Sequence, residues 1–190
     1  MFKGRFKRSF VACVAGGCLA LLAGCATSYY ATEPISATDA LLVGQIQLVA
    51  TGFPAAMGAN GVYAQNILVT LRSLETGRSY EISSREPDGF ISLASPAPGR
   101  YAIVGFSARL PAGWGTSQLL RYRPLPPLVL TVRPGVVNNI GTVVWHEDRA
   151  SRRDWSMAGY GYANVRESFR AHFARSEWDR FRWHANRIGS

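Results

Sequence analysis

Between Leu41 and His146 the chain shows no helical period of useful length. It breaks into short runs in which apolar and polar residues alternate, separated by Gly and Pro, and that rhythm commits the region to strands and turns. Leu42 to Leu48 alternates about Gly44. Val62 to Leu71 sets Ile67, Val69 and Leu71 on one face and Thr70 on the other, with Arg72 following. Arg78 to Ser83 sets Tyr80 and Ile82 opposite Ser79 and Glu81. Gly89 to Leu93 is a brief run after an Asp-Gly turn, and Arg100 to Phe106 is mostly apolar. Leu128 to Val132 and Val136 to Trp145 flank Pro134-Gly135. About seven short strands of this kind predict a mainly β protein, a single antiparallel β-sandwich over residues 41–148. With 47% hydrophobic residues the chain can fill such a core, which excludes wholesale disorder.

Two longer segments interrupt the rhythm and read as loops: Thr51 to Gly61, and Ser107 to Pro127 with four prolines and Gly113-Trp114-Gly115. Trp114 either caps the open end of the sandwich or offers a stacking platform to a sugar or peptide, so it is a candidate binding residue.

The first 24 residues are an address rather than part of the fold. Lys3, Arg5, Lys7 and Arg8 precede an uncharged, mostly apolar run from Phe10 to Ala23, too short for a comfortable membrane span. It ends in Leu22-Ala23-Gly24-Cys25, which resembles the lipobox of bacterial lipoproteins. The resemblance implies cleavage between Gly24 and Cys25 and a lipid on the Cys25 thiol. Ala26 after the cysteine, where that family uses Asp for retention, implies export to the outer membrane, facing the periplasm. Cys13 and Cys18 would leave with the signal peptide, so the mature chain has no disulfide and no cysteine-based metal site. Residues 25–40, small and polar with Tyr29, Tyr30 and Pro34, read as a tether.

Removing residues 1–24 takes away four cations and no acids, leaving 17 Arg, no Lys and 12 acids. From Cys25 to Asp148 eight Arg balance eight acids. From Arg149 to Ser190 nine Arg face four acids, so the excess lies in the last 42 residues. In a periplasmic setting the available anions are lipid phosphates, lipopolysaccharide, peptidoglycan and acidic proteins, and a nucleic-acid partner is not expected.

Within the sandwich, Gly44-Gln45-Ile46, Val69-Thr70-Leu71 leading into Glu75-Thr76-Gly77, then Asp88-Gly89-Phe90 and Pro98-Gly99-Arg100-Tyr101 follow in order. This succession is similar to carboxypeptidase-regulatory-like domains, which share a prealbumin-like sandwich. The Gly residues supply turns that tolerate positive φ. In lipoproteins of this type Pro134-Gly135 with Ile140-Gly141 fits a closing hairpin. The resemblance spans roughly residues 41–146 and implies a non-catalytic structural or binding module without naming a ligand.

Residues 149–190 change character. Arg149 to Tyr162 reads as a linker. Asn164 with Glu167 three residues on is a helix-start signature, and Val165, Phe169, His172 and Phe173 share a helical face. Ser176 and Asp179 repeat the pattern, with Trp178, Phe181, Ala185 and Ile188 as a second stripe about half a turn from the first. One straight helix cannot bury both stripes, so two short helices broken near Ser176 are expected. They either cover the sandwich or present arginines and aromatics to an envelope protein or anionic lipid. Trp183, on the arginine side of the second helix beside Arg180 and Arg187, is the leading candidate for an exposed contact.

The chemistry of catalysis is thin. His146, His172 and His184 show no metal-ligand spacing, and neither a nucleophile elbow nor a phosphate loop occurs. His146-Glu147-Asp148 is a polar cluster at a strand end. No cofactor is expected. The expectation is a lipid-anchored, non-catalytic module of the cell envelope. The alternatives are a carbohydrate- or peptidoglycan-binding module using the 107–127 loop, and a small hydrolase that would depend on His146 or Asp88.

Overall fold

A computed structural model describes residues 33–53, 60–85, 87–112, 116–148, 152–158 and 161–186. The alternating runs become strands: β1 (Leu41–Thr51), β2 (Gly61–Tyr63), β3 (Leu68–Ser73), β4 (Ser79–Ser83), β5 (Phe90–Ala94), β6 (Gly99–Ala112), β7 (Thr116–Tyr122), β8 (Leu128–Val132), β9 (Val136–Asp148) and β10 (Arg152–Ala158). Helix α1 (Gly161–His172), a 3₁₀ turn (Glu177–Arg180) and β11 (Arg182–Ala185) complete the chain.

The first sheet runs β10-β9-β1-β2, with β5 beside the start of β1 and β11 beside the start of β9. The second runs β4-β3-β6-β7, with β8 beside the start of β6. Most pairings are antiparallel, but the two central strands of the first sheet, β1 and β9, are parallel. A parallel pair belongs where both faces are covered, and these strands are buried almost throughout. Leu42, Ile46, Leu48 and Ala50 of β1 point into the core between the sheets, where they meet Val69, Leu71, Ile103, Phe106 and Leu130. Leu41 and Val43 point the other way, into a second apolar cluster with Val137, Val165, Phe169, Phe173 and Trp178. Helix α1 and the turn after it therefore cover the outer face of the first sheet. The molecule is a β-sandwich with one short helix near its C-terminus.

Several turns fall where the sequence puts them. Gly77 lies between β3 and β4, Gly89 before β5 and Gly99 at the start of β6, all with positive φ. Gly89 is required twice over, because a Cβ there would stand 2.1 Å from the carbonyl oxygen of Ile46.

Other segments differ from expectation, each for a physical reason. Val62 to Leu71 is two strands, because Asn66 adopts a left-handed φ of 56° and sends β2 to the first sheet and β3 to the second. The segment read as a loop from Ser107 is largely a hairpin in which Ala112 pairs Thr116 and Phe106 pairs Tyr122. Its inward residues Ala108, Leu110 and Leu120 supply an alternation that the prolines obscure. Pro134-Gly135 is not a closing hairpin: β8 pairs with β6 and β9 with β1, so the turn is a corner between sheets. The supposed linker holds β10, antiparallel to β9, with Trp155 turned to the core and Asp154 opposite His146. Helix α1 begins three residues before Asn164, at Gly161, which a side chain could not replace because its Cβ would lie 2.5 Å from the Thr142 nitrogen. The chain does break before Ser176, at Arg175 with φ 69°. In place of a second helix, the chain then forms a 3₁₀ turn and a strand parallel to β9.

Candidate functional site

Three concave regions lie on the surface built by the first sheet and the C-terminal segment. The first runs along α1. Beneath the helix a polar chain crosses an otherwise apolar contact: the Thr142 hydroxyl donates to Gln45 Oε1 at 2.9 Å, and Gln45 Nε2 donates to the Ser168 hydroxyl at 2.8 Å. Ser168 in turn donates to Asp88, whose Oδ1 also accepts from the Phe90 N–H at 3.1 Å and lies 3.2 Å from His172 Nε2. Burial pushes the Asp88 carboxyl up, but the bonds from Ser168, His172 and Phe90 outweigh it and hold the pKa below the usual aspartate value. The His172 ring stacks on Phe90 with centroids 5.0 Å apart. A cleft of about 300 Å³ opens beside this chain between Asp88, Asn164, Glu167 and Ser168.

Serine, aspartate and histidine thus meet, but in an order unlike that of a nucleophilic triad. The carboxylate stands between the other two, so the imidazole faces Asp88 and takes no proton from Ser168. The arrangement pins the helix to the turn before β5.

The second region is the uncovered end of the same outer face. Strand alternation splits the cluster His146-Glu147-Asp148. His146 and Asp148 face outward into a cleft of about 370 Å³ with Thr51, Asp154 and Ser156, and His146 Nε2 lies 2.9 Å from the Ser156 hydroxyl oxygen. Glu147 faces inward, is 2% exposed and meets Arg153 Nε at 2.8 Å. Burial raises the Glu147 pKa, and Arg153 opposes that only in part. Among the described residues no group of three or more His, Cys, Asp and Glu is placed to hold a metal ion.

The third region joins the two ends of the described chain. Glu33 Oε2 accepts from the Ser176 hydroxyl and from the Glu177 N–H, both at 2.9 Å. Ser176 itself caps the 3₁₀ turn through the Trp178 N–H. Asp39 folds the segment after Glu33 by accepting from the Ile35 N–H at 2.7 Å and the Ser36 N–H at 3.2 Å, bonds that keep its pKa low. Between this segment and the turn lies a groove of about 440 Å³ whose walls include Ile35, Gly135, Glu177, Arg180, Phe181 and Arg182. Ile35 is 94% exposed. Arg180, 79% exposed, pairs with Glu177 at 2.5 Å.

Of the candidates drawn from the sequence, Arg180 is on a groove wall. Trp183 is not the exposed contact expected. As part of β11 it pairs with Val137, packs edge-on against Phe169 at 5.1 Å and takes the Arg166 guanidinium over its ring at 5.4 Å. A strand turns alternate side chains to opposite faces, and that moves Trp183 from an arginine face to the helix–sheet contact. Gly24, Cys25, Trp114 and Arg187 lie outside the described residues. Glu33, Ile35, Gln45, Ser168 and Arg182 were not singled out from the sequence. Glu33, Gln45 and Ser168 gain their places from partners more than a hundred residues away, Ile35 from the fold of the tether and Arg182 from the pairing of β11 with β9, and none leaves a local signature.

No protein-family model, curated protein or solved structure matches the chain.

Proposed function

We propose that this protein is a lipid-anchored, non-catalytic binding module of the bacterial cell envelope, held by an acyl group on Cys25 and placed at the outer membrane facing the periplasm. The lipobox-like Leu22-Ala23-Gly24-Cys25 motivates the reading, and the carboxypeptidase-regulatory-like order of turns is consistent with it. The observation that supports it best is the agreement of three sequence features: the charged start with Lys3, Arg5, Lys7 and Arg8, the apolar run from Phe10 to Ala23, and the small-small-Cys end at Cys25. A multiply acylated N-terminus gives an anchor that a single chain does not.

Mass spectrometry of the full-length gene product purified from membranes tests this. The expected species starts at Cys25 and carries the diacylglyceryl mass, and Cys25→Ser shifts the protein to the unprocessed form. An N-terminus elsewhere, or an unmodified Cys25, contradicts the proposal.

A second reading, a sugar- or peptidoglycan-binding module, draws on one observation. Beyond Ser107 the β6–β7 hairpin continues as a two-stranded ribbon past the end of β3, with Trp114 in the connection. Trp114→Ala would then abolish sacculus binding while leaving the melting temperature unchanged, and retained binding would remove this reading.

A further inference from the structure

From Gly89 to His146 the sequence carries five arginines, Arg100, Arg109, Arg121, Arg123 and Arg133, and neither Asp nor Glu. Two of the five meet on the β6–β7 ribbon. Arg109 stands opposite Leu119, and Ser107 opposite Arg121, so these four side chains share one face. The other face carries the buried Ala108, Leu110 and Leu120. Arg109 and Arg121 are diagonal neighbours, about 7–8 Å apart at the backbone. Both are exposed, and among the described residues neither side chain has an ion pair or a hydrogen bond. Counter-charge is distant. Glu81 of β4 is level with Gly105 of β6 through Thr70. Strand and residue spacings put it about 16 Å from each of the two arginines, beyond the roughly 8 Å over which salt screens exposed charges. Glu75 lies at the other end of β6, accepting from the Arg100 N–H at 2.8 Å. Burial and then Asp154 raise the Tyr122 pKa, but the Tyr122 ring lies on the inner face with Phe106 and Trp145. Like charges side by side repel, and an anion that meets both relieves the repulsion.

We propose that this face of the ribbon binds the carboxylates of peptidoglycan, Arg109 and Arg121 each gripping a stem-peptide carboxylate through parallel N–H···O bonds. The inference rests on the proposed placement in the envelope, and it deepens the peptidoglycan reading by naming the group recognised. Shape favours a polymer strand. Two strands set about 5 Å apart make a narrow strip. A folded protein partner needs at least about 1,000 Å² of complementary surface, and Leu119 is the one large exposed apolar side chain that the described residues place on this face. Bilayer headgroups fit less well too. The chain enters the sandwich at the opposite end of β6, where Gly135 donates to the Thr38 and Asp39 carbonyls and Val132 pairs with Gly99. Arg109 stands ten residues further along β6 than Gly99, roughly 33 Å up the strand.

Purified sacculi are the probe. The full acylated protein, held in detergent, is sedimented with native sacculi and with sacculi whose carboxylates have been amidated by carbodiimide coupling to methylamine. It should sediment with the first and stay in solution with the second. Arg109→Gln and Arg121→Gln should each weaken binding roughly threefold and together about tenfold, and added salt should weaken it as well. Arg72→Gln, exposed on β3 beside the start of β6, should bind like the parent. The inference is overturned if amidated sacculi bind as well as native ones, or if the double variant matches the parent. Displacement by glycerophosphoglycerol but not by soluble muropeptides would mark a lipid-phosphate site and overturn it too. Binding that is lost with Trp114→Ala yet indifferent to amidation would overturn this inference and leave the stacking reading standing. A missing acyl mass would overturn the envelope placement, and with it the choice of peptidoglycan.

Discussion

Gly89, Asp88 and Glu147 show how single residues carry the fold's constraints. Gly89 combines a φ of 77° with a Cα so close to β1 that no side chain fits. Gly89→Ala should cost about 3 kcal/mol, from backbone strain and overpacking together, as read from urea unfolding of the purified protein. The two carboxylates titrate with opposite sign. The Asp88 pKa is lowered on folding, so its contribution is present above the usual aspartate range and is lost as pH falls through the lowered value. Asp88→Asn should therefore be destabilised at about pH 7 and approach the parent below about pH 3.9. The Glu147 pKa is raised, so its protonated form favours the fold at low pH and that advantage fades as pH rises through the raised value. Glu147→Gln should exceed the parent in stability at about pH 7, with the gap closing below about pH 4.3. Thermal melts of both variants from about pH 3 to pH 8 check the two slopes together. A less stable Glu147→Gln at neutral pH would mean that Arg153 outweighs burial.

The elements were legible in proportion to how local their causes are. The inward faces of β3 and β4 follow from alternation, and the Val165 and Phe169 face of α1, continued by Phe173 just past its end, follows from helical spacing. Phe169 is fully buried against Phe173 and Trp183, so Phe169→Ala should cost about 3–5 kcal/mol, measured by calorimetry. Alternation alone does not name a strand's partner. Pro134-Gly135 announces a turn but does not say that β8 and β9 lie in opposite sheets. The four residues of β11 are too few to carry a period, and their pairing with Val136 to Asn139 is set by the docking of α1 and the 3₁₀ turn before them. The candidate groove was legible only in Arg180. Its other wall depends on Asp39 folding the tether back and on Glu33 reaching Ser176, two bonds that no sequence motif marks.

At the scale of the molecule, the C-terminal segment is the other half of the first sheet. β10 and β11 both pair with β9, and α1 covers Leu41, Val43 and Val137 on the outer face. Residues 31–190 form one unit by their contacts, with no division at residue 148. The aromatics that looked available for a partner are largely spent inside: Trp178 and Phe169 are fully buried, and Trp183 packs on the helix. The arginines of the 3₁₀ turn and β11 remain exposed, beside the equally exposed Glu177 and Asp179. A chain ending at Asp148 would leave the outer edge of β9 and an apolar sheet face uncovered, and it should aggregate rather than fold.

Limited trypsin digestion of the native protein with mass spectrometry of the fragments tests this integration most directly. The account predicts that residues 152–186 resist cleavage as well as the sandwich does, despite seven arginines, and that they stay bound to residues 33–148 even after a nick between the two. Rapid release of the C-terminal segment, leaving a folded core that ends near Arg149, would contradict it.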